Sequence, residues 1–305
     1  HIAGPEFYYK GGFSLAGKKI LSEAKYKGLS EIRVEDSGGT KFKTKSFRFV
    51  FEDSILTAKR ASIVLYDEYD SIYHPAVKLT YNMNSQDLVV QRESGDFRNT
   101  PYVSSLYDIN FTADIIKWHL PQDSIFVSTL SARSEVPLLI QSNEYYDRNV
   151  FGDVAGLYDF NPLKMVLYFA NKRGSDTFNA DIMAEDRKLN IKVVRGAMLD
   201  LMRRGYINYN PLTAEVTLTE RAKHKGLAQK GDVDYDNILL YSQTDKGVNG
   251  TLDLSTQEFH FSGVDKFYLS QILDVSVDAD SNKITMLPNK DIKFNGKLAA
   301  GNFDY

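Results

Sequence analysis

The feature that most constrains this chain is a side-chain alternation of period two, repeated in short runs with turn residues between them. Phe47, Phe49 and Phe51 alternate with Arg48 and Val50, and that period sends successive side chains to opposite faces of a half-buried strand. Further strand candidates are Ala61–Tyr66, Val77–Tyr81, Leu88–Gln91, Ile125–Leu130 and Leu138–Gln141. Turn chemistry separates them, at Ser37-Gly-Gly39, Asn82–Ser85, Ser94-Gly-Asp96 and Pro121-Gln-Asp123. No long helical pattern interrupts residues 1–155, so this part is expected to be one β-rich domain.

The period changes near residue 160. Asn161-Pro162 is a helix opening, a capping side chain followed by proline at the first helical position. A first helix is expected over Leu163–Ala170, a second from Asn179 to about Arg187, and a third from Ile191 to Arg204. Asn190 caps the third and Gly205 ends it. Ile191, Val194, Met198, Leu201 and Met202 fall on one face of that helix. The opposite face carries Lys192, Gly196, Asp200, Arg203 and Arg204. Tyr206–Tyr209, a turn at Asn210-Pro-Leu-Thr213 and Glu215–Leu218 read as a hairpin. Thr217 with Glu220 fits a capping box for a last helix through Lys225. Three helices, a hairpin and a helix within residues 160–230 are the order of a winged helix.

Strand patterning resumes over residues 233–305, at Ile238–Tyr241, Thr251–Leu254, Glu258–Phe261, Lys283–Leu287 and Ile292–Phe294. Turns are expected at Asp245–Gly250, Ser255–Gln257 and Asp278–Asn282. The fold class is therefore mainly β, a solenoid- or sandwich-like ladder of antiparallel strands, with an inserted α+β winged-helix domain. The last segment reads as a continuation of the first, part of a longer β-repeat array. His1-Ile-Ala-Gly-Pro-Glu-Phe7 and Gly301–Tyr305 both read as cut ends, so the chain is expected to be a segment of a larger protein.

Five short motifs, in order, resemble large cell-envelope proteins of the Bacteroidetes group, which consist mainly of β-strand repeats with a winged-helix-like insert. They are Tyr9-Lys-Gly-Gly-Phe-Ser-Leu15, Asp70-Ser-Ile-Tyr-His-Pro75, Arg204-Gly-Tyr-Ile-Asn-Tyr209, Gly231-Asp-Val-Asp-Tyr-Asp236 and Phe294-Asn-Gly-Lys-Leu-Ala-Ala-Gly-Asn-Phe303. The resemblance implies a periplasmic or envelope location and a scaffold or conduit role, and it carries no catalytic residue. A looser likeness to the β-taco proteins of lipopolysaccharide transport is one of fold alone.

Composition narrows the chemistry. With no cysteine, disulfides, thiolate metal sites and cysteine nucleophiles are excluded. No apolar run approaches the roughly 20 residues that cross a bilayer. His74, His119, His224 and His260 lack the spacing that sets two ligands on one helix face, and His74, before Pro75, is expected to shape a turn. Asp232-Val-Asp-Tyr-Asp-Asn237 begins like a calcium loop but has Asn237 at the glycine position and Gln243 at the twelfth; Asp278–Asn282 departs similarly. Asp67-Glu-Tyr-Asp70 reads as a polar turn. No nucleophile elbow, phosphate-binding lysine loop or dinucleotide fingerprint is present. The expectation is a protein without enzymatic activity or cofactor, with no catalytic, cofactor-binding or metal residues to name.

Charge is unevenly placed. Residues 160–230 hold thirteen Lys and Arg against seven Asp and Glu, in a chain of net charge −3. Lys192, Arg203, Arg204, Lys223 and Lys225 are the candidate basic partner-binding surface. Asp200 within it, and the lack of Asn or Gln for base readout, disfavour nucleic acid. The leading expectation is an envelope scaffold or binding segment with a protein or lipid partner, the lipid held in a β groove. A DNA-binding winged-helix regulator with a β sensory domain is the alternative.

Overall fold

The computed structural model describes residues 5–23, 28–67, 70–93, 97, 100–130, 137–143, 158–230, 238–244, 247–270, 275–300 and 303–304. The chain divides into two compact units. One combines His1–Phe97, Tyr102–Gln141 and Ile238–Tyr305, and the other Arg98–Pro101 and Ser142–Asn237.

Strands come first along the chain: β1 (Glu6–Lys10), β2 (Gly12–Ala16), β3 (Lys19–Glu23), β4 (Ser30–Asp36), β5 (Gly39–Ser46), β6 (Phe49–Glu52) and β7 (Ile55–Asp67). They continue as β8 (Asp70–Asn82), β9 (Asp87–Arg92), β10 (Tyr102–Ser104), β11 (Ile109–Phe111), β12 (Ile115–His119), β13 (Ser124–Ser128) and β14 (Leu138–Ser142). The second unit supplies α1 (Pro162–Arg173), β15 (Thr177–Asn179), α2 (Ala180–Asp186), α3 (Ile191–Arg203), β16 (Ile207–Asn210), β17 (Glu215–Leu218) and α4 (Glu220–Lys230). The chain then returns to strands, with β18 (Leu239–Ser242), β19 (Gly250–Asp253), β20 (Glu258–Ser262) and β21 (Lys266–Ser270). It finishes on β22 (Val275–Met286), β23 (Ile292–Ala300) and β24 (Phe303–Asp304). The protein is mainly β.

In the first unit 21 strands share one hydrogen-bonded network, folded into two facing walls because a few strands pass from one wall to the other. The first wall runs β2-β3-β6-β7-β8-β9-β12-β13-β19-β20-β22-β23. The second runs β1-β4-β5-β7-β8-β10-β11-β14-β18-β21-β22-β23-β24. β7 pairs with β6 over Ile55–Ala58 and with β5 over Ser62–Leu65, so it changes walls in between. Arg60 sits there at φ 54°, a left-handed residue that turns the strand. β8 makes the return beside it. Pro75, which has no N–H for a ladder, lies where the pairing skips from His74 to Val77. β22 and β23 repeat the device, with a register shift between Ala279 and Ile284 and Asn282 at φ 53°.

Cross-strand registry explains why the walls hold. One inward-facing row of the first wall starts at Leu15, Ile20 and Phe51 and passes through Leu56, Tyr81, Leu88 and Trp118. It goes on through Ile125, Leu252, Phe259 and Met286 to Ile292. Every member is apolar or aromatic, and from Leu56 to Met286 each is buried. Its neighbour runs through Phe49, Ala58, Leu79, Val90, Ile116 and Val127 to Gly250, Phe261, Ile284 and Phe294. Gly250 interrupts it because a Cβ there would stand 2.9 Å from the Phe259 ring. Ring pairs join the walls: Phe42 with Tyr81 at 5.1 Å, Phe111 with Phe259 at 5.8 Å and Phe267 with Phe294 at 5.6 Å. Such edge-on pairs contribute about 0.5–1.5 kcal/mol beyond their buried area.

Several expectations are corrected here. Asp278–Asn282 is no turn but the corner at which β22 changes walls. His74 also lies at a wall crossing within a strand, fully buried. Phe47 is exposed at a bend before β6, leaving Phe49 and Phe51 to carry the alternation. The turn at Ser94–Asp96 and the calcium-like Asp232–Asn237 lie outside the described residues.

The second unit orders its elements α1, β15, α2, α3, β16, β17, α4, with β15-β17-β16 forming an antiparallel sheet. Local chemistry sets the boundaries. Asn161, Asn179 and Asn190 each accept a hydrogen bond from a backbone N–H of the first turn, satisfying donors that have no partner within the helix. Gly174 closes α1 in the left-handed conformation at φ 63°. Val194, Ala197, Met198, Leu201 and Met202 of α3 are buried, whereas Ile191, expected among them, is partly exposed at the first turn. The cap of α4 is Thr219, whose hydroxyl accepts from Ala222 N. Thr217, expected in that role, belongs to β17 and meets Thr177 across the ladder.

Candidate functional site

Two places could engage a partner: the basic face expected on the second unit and the ends of the strand ladder. On the second unit, Lys192 and Arg204 are exposed at opposite ends of α3. Arg203 donates to Asp200 at 2.7 Å. Lys223 lies between Asp176 at 2.9 Å and Glu220 at 2.5 Å, two carboxylates that raise its pKa. Lys225 is 0% exposed, its Nζ 5.4 Å from the centre of the Tyr206 ring. The five residues therefore do not form one surface, and Lys225 is corrected to an interior position. The helical period explains it: α4 turns Arg221, Ala222 and Lys225 inward and leaves Lys223 outside. Arg221 also stands over Tyr206, at 5.2 Å, and burial lowers its pKa. The spacing of Arg221 and Lys225 by four residues was the available sign that they share a face.

The outer face of α3 is already engaged. Arg195 makes two bonds to Asp181, at 2.8 and 2.6 Å, which hold that carboxyl below its ordinary range. Tyr158 donates to Asp200 at 2.5 Å and lies 3.7 Å from where a Cβ of Gly196 would stand. Burial, then Asp200, push the Tyr158 phenol up to about 12. Lys172 pairs with Asp186 at 2.7 Å. Four of the thirteen basic residues, Lys172, Arg195, Arg203 and Lys223, are thus paired with carboxylates within the unit. Sequence reasoning missed Tyr158, since nothing local ties it to Asp200.

The histidines are dispersed. His74 Nδ1 accepts from Ala76 N, and its ring packs 4.4 Å from Tyr102. His119 meets Asp87 at 2.8 Å, and His260 meets Thr285 at 2.9 Å. Among the described residues no three His, Asp or Glu side chains come close enough to share a metal ion. No described helix is long and apolar enough to cross a membrane.

The apolar row of the first unit is buried from Leu56 to Met286, and a polar cleft at Arg33, Gly38, Gly39, Thr40, Lys43 and Tyr66 measures about 350 Å³. A cavity among Leu65, Ile72, Leu106, Ile125 and Leu252 measures about 10 Å³, room for about one water. The ends differ. Phe13 and Leu15 on β2 are 67% and 73% exposed, and Ile20 and Tyr8 are also open. At the far end Ile292, Phe294 and Leu298 of β23 are only partly covered. No family model matches the chain, and comparisons with curated proteins and with solved structures likewise gave no match.

Proposed function

We propose that this chain is a non-catalytic scaffold segment of a bacterial cell-envelope protein, working through its surfaces rather than through an internal ligand site. The observation that carries this reading is the state of the apolar rows: sealed between the walls in the middle and uncovered at the outermost strands. A lipid conduit needs an open apolar trough, whereas the row from Leu56 to Met286 is buried between the walls. The envelope location rests on the motif resemblance alone.

The second unit has the element order of a winged helix with a third strand, β15, and we assign it that fold. Asp200 on the outer face of α3, held by Arg203 and Tyr158, favours contact with a protein over contact with DNA, because a carboxylate there opposes phosphate binding.

Mass spectrometry of solvent extracts of protein purified without detergent tests the reading. A clean extract is expected. Lipid at one equivalent per chain would overturn the scaffold role and restore the conduit.

A further inference from the structure

Where β7 and β8 change walls, four cations and an aromatic ring gather on the outside of the first unit. β7 fits two residues, Lys59 and Arg60, opposite the single Lys78 of β8, because Ala58 pairs with Leu79 and Ala61 with Val77. That bulge brings two basic residues against a third. Leu56, Ala58, Val77 and Leu79 are buried in the core, so the alternation along each strand turns Lys59 and Lys78 outward. Arg48 joins them from the approach to β6. Phe49 pairs with Ala58, and Ser46 Oγ lies 3.2 Å from the Arg48 carbonyl oxygen and 3.3 Å from that of Lys59. One hydroxyl thus holds the backbones of two basic residues together.

Counter-charge is scarce at this corner. Arg60 pairs with Glu93 at 3.2 Å, and Glu52, further along β6, is bridged by Lys19 at 3.0 Å. Arg48, Lys59 and Lys78 are exposed and make no ion pair among the described residues. Like charges set side by side weaken a sheet, so strand pairing does not account for three uncompensated cations in a chain of net charge −3. An anion outside the chain does. Beside them, Phe47 holds its ring 57% exposed at the bend between β5 and β6. A large ring among cations suits an anionic bilayer: the ring enters the headgroup boundary while the cations stay with the phosphates.

We propose that this corner, Phe47 with Arg48, Lys59, Lys78 and the neighbouring Arg60, docks the first unit on an anionic lipid surface. A soluble polyanion would satisfy the cations equally but gives the ring nothing to enter, which favours the bilayer. The proposal goes beyond the scaffold reading and does not depend on it, since it needs no lipid between the walls.

Flotation of the whole chain with vesicles of equal parts phosphatidylcholine and phosphatidylglycerol tests it. Binding is expected at low salt and release at high salt, because surface charge is screened; vesicles of phosphatidylcholine alone should leave the protein behind. Each cation near an anionic surface strengthens binding about fivefold, so Lys59→Gln combined with Lys78→Gln should weaken it about 25-fold. Phe47→Ser should weaken it roughly tenfold. Lys117→Gln, which removes an exposed cation of β12 outside the corner, is the control and should bind like wild type. Each variant is first confirmed folded by circular dichroism.

No flotation with the anionic vesicles would overturn the proposal. So would equal losses from Lys117→Gln and Lys59→Gln, which mean diffuse attraction with no defined surface. Phe47→Ser binding as tightly as wild type would exclude insertion and point to a soluble polyanion. Release by inorganic phosphate, at an ionic strength where chloride leaves the protein bound, would mean a phosphate site and overturn it as well. A lipid-loaded solvent extract would instead remove the scaffold reading and leave the vesicle result to stand by itself.

Discussion

The sandwich and the helical unit hold themselves together by different means. In the sandwich, strand identity is settled at long range: Ile125 is buried beside Leu252, on a strand that follows the whole helical unit in sequence. In the helical unit the boundaries are settled within a few residues, by Asn161, Asn179 and Asn190 at helix starts. Apolar burial and ring contacts dominate the first; capping and ion pairs decorate a small core in the second. The comparison teaches that the two units should fail under different conditions, with separate signals. The single tryptophan, Trp118, lies in the sandwich, whereas ellipticity at 222 nm is carried by the helices.

The largest effect is expected from Phe259→Ala. Phe259 is fully buried among Tyr107, Phe111 and Phe261, and truncating such a residue costs about 3–5 kcal/mol. In denaturant titration the tryptophan transition should move to lower concentration while the helical transition stays in place. If both move together, the contrast between the units is broken.

Alkali should discriminate next. Burial pushes the Tyr102 phenol well above its ordinary 10.0 and the Tyr81 phenol up to about 12. A raised folded pKa means that the contribution to stability is complete below pH 10 and drains away as the unfolded chain ionises between about 10 and 12. Tryptophan fluorescence followed across that range should report loss of the sandwich, and tyrosinate absorbance should rise with it. Absorbance rising fully at pH 10 with the fold intact would contradict burial of these rings.

Asn190→Ala removes the cap of α3 and is expected to cost about 1 kcal/mol, read at 222 nm, with the tryptophan transition unchanged. Acid sharpens the same contrast more gently. Asp181 and Asp186 are held below 3.8, chiefly by hydrogen bonds from Arg195 and Lys172 respectively. Depressed carboxyls contribute above their unfolded pKa and lose that contribution as pH falls through the folded one. Helical signal should therefore weaken below about pH 4 by more in wild type than in Asp181→Asn, since these exposed pairs contribute little each.

The same division explains what could be read in the sequence. Helix starts at Asn161 and Asn190 were legible because capping is local chemistry. The second half of β8, at Val77–Tyr81, together with β9 and β20, was legible because Val, Leu, Tyr or Phe mark the buried positions within each. β4 and β5 were not: Thr44 and Ser46 occupy inward positions, so Lys41-Phe-Lys-Thr-Lys-Ser46 reads as polar. The wall crossings of β8 and β22 were read as turns, since His74-Pro75 and Asp278-Ala-Asp-Ser-Asn282 have turn composition and only pairing across the sheet reveals a bent strand. At the basic face, residue type was visible in the sequence but not the carboxylates already bound to it, nor the inward rotation of Lys225.

The route by which the second unit leaves the sandwich has a kinetic consequence. It departs after β14 and returns before β18, and these strands are direct neighbours, with Gln141 paired to Leu239. Closing that ladder through a slack loop of about 100 residues would be slow, because contacts of long sequence separation form late. If the helical unit folds early, its residues no longer belong to a slack loop, and the long closure shrinks. Refolding of the β14–β18 ladder should then wait on the helices.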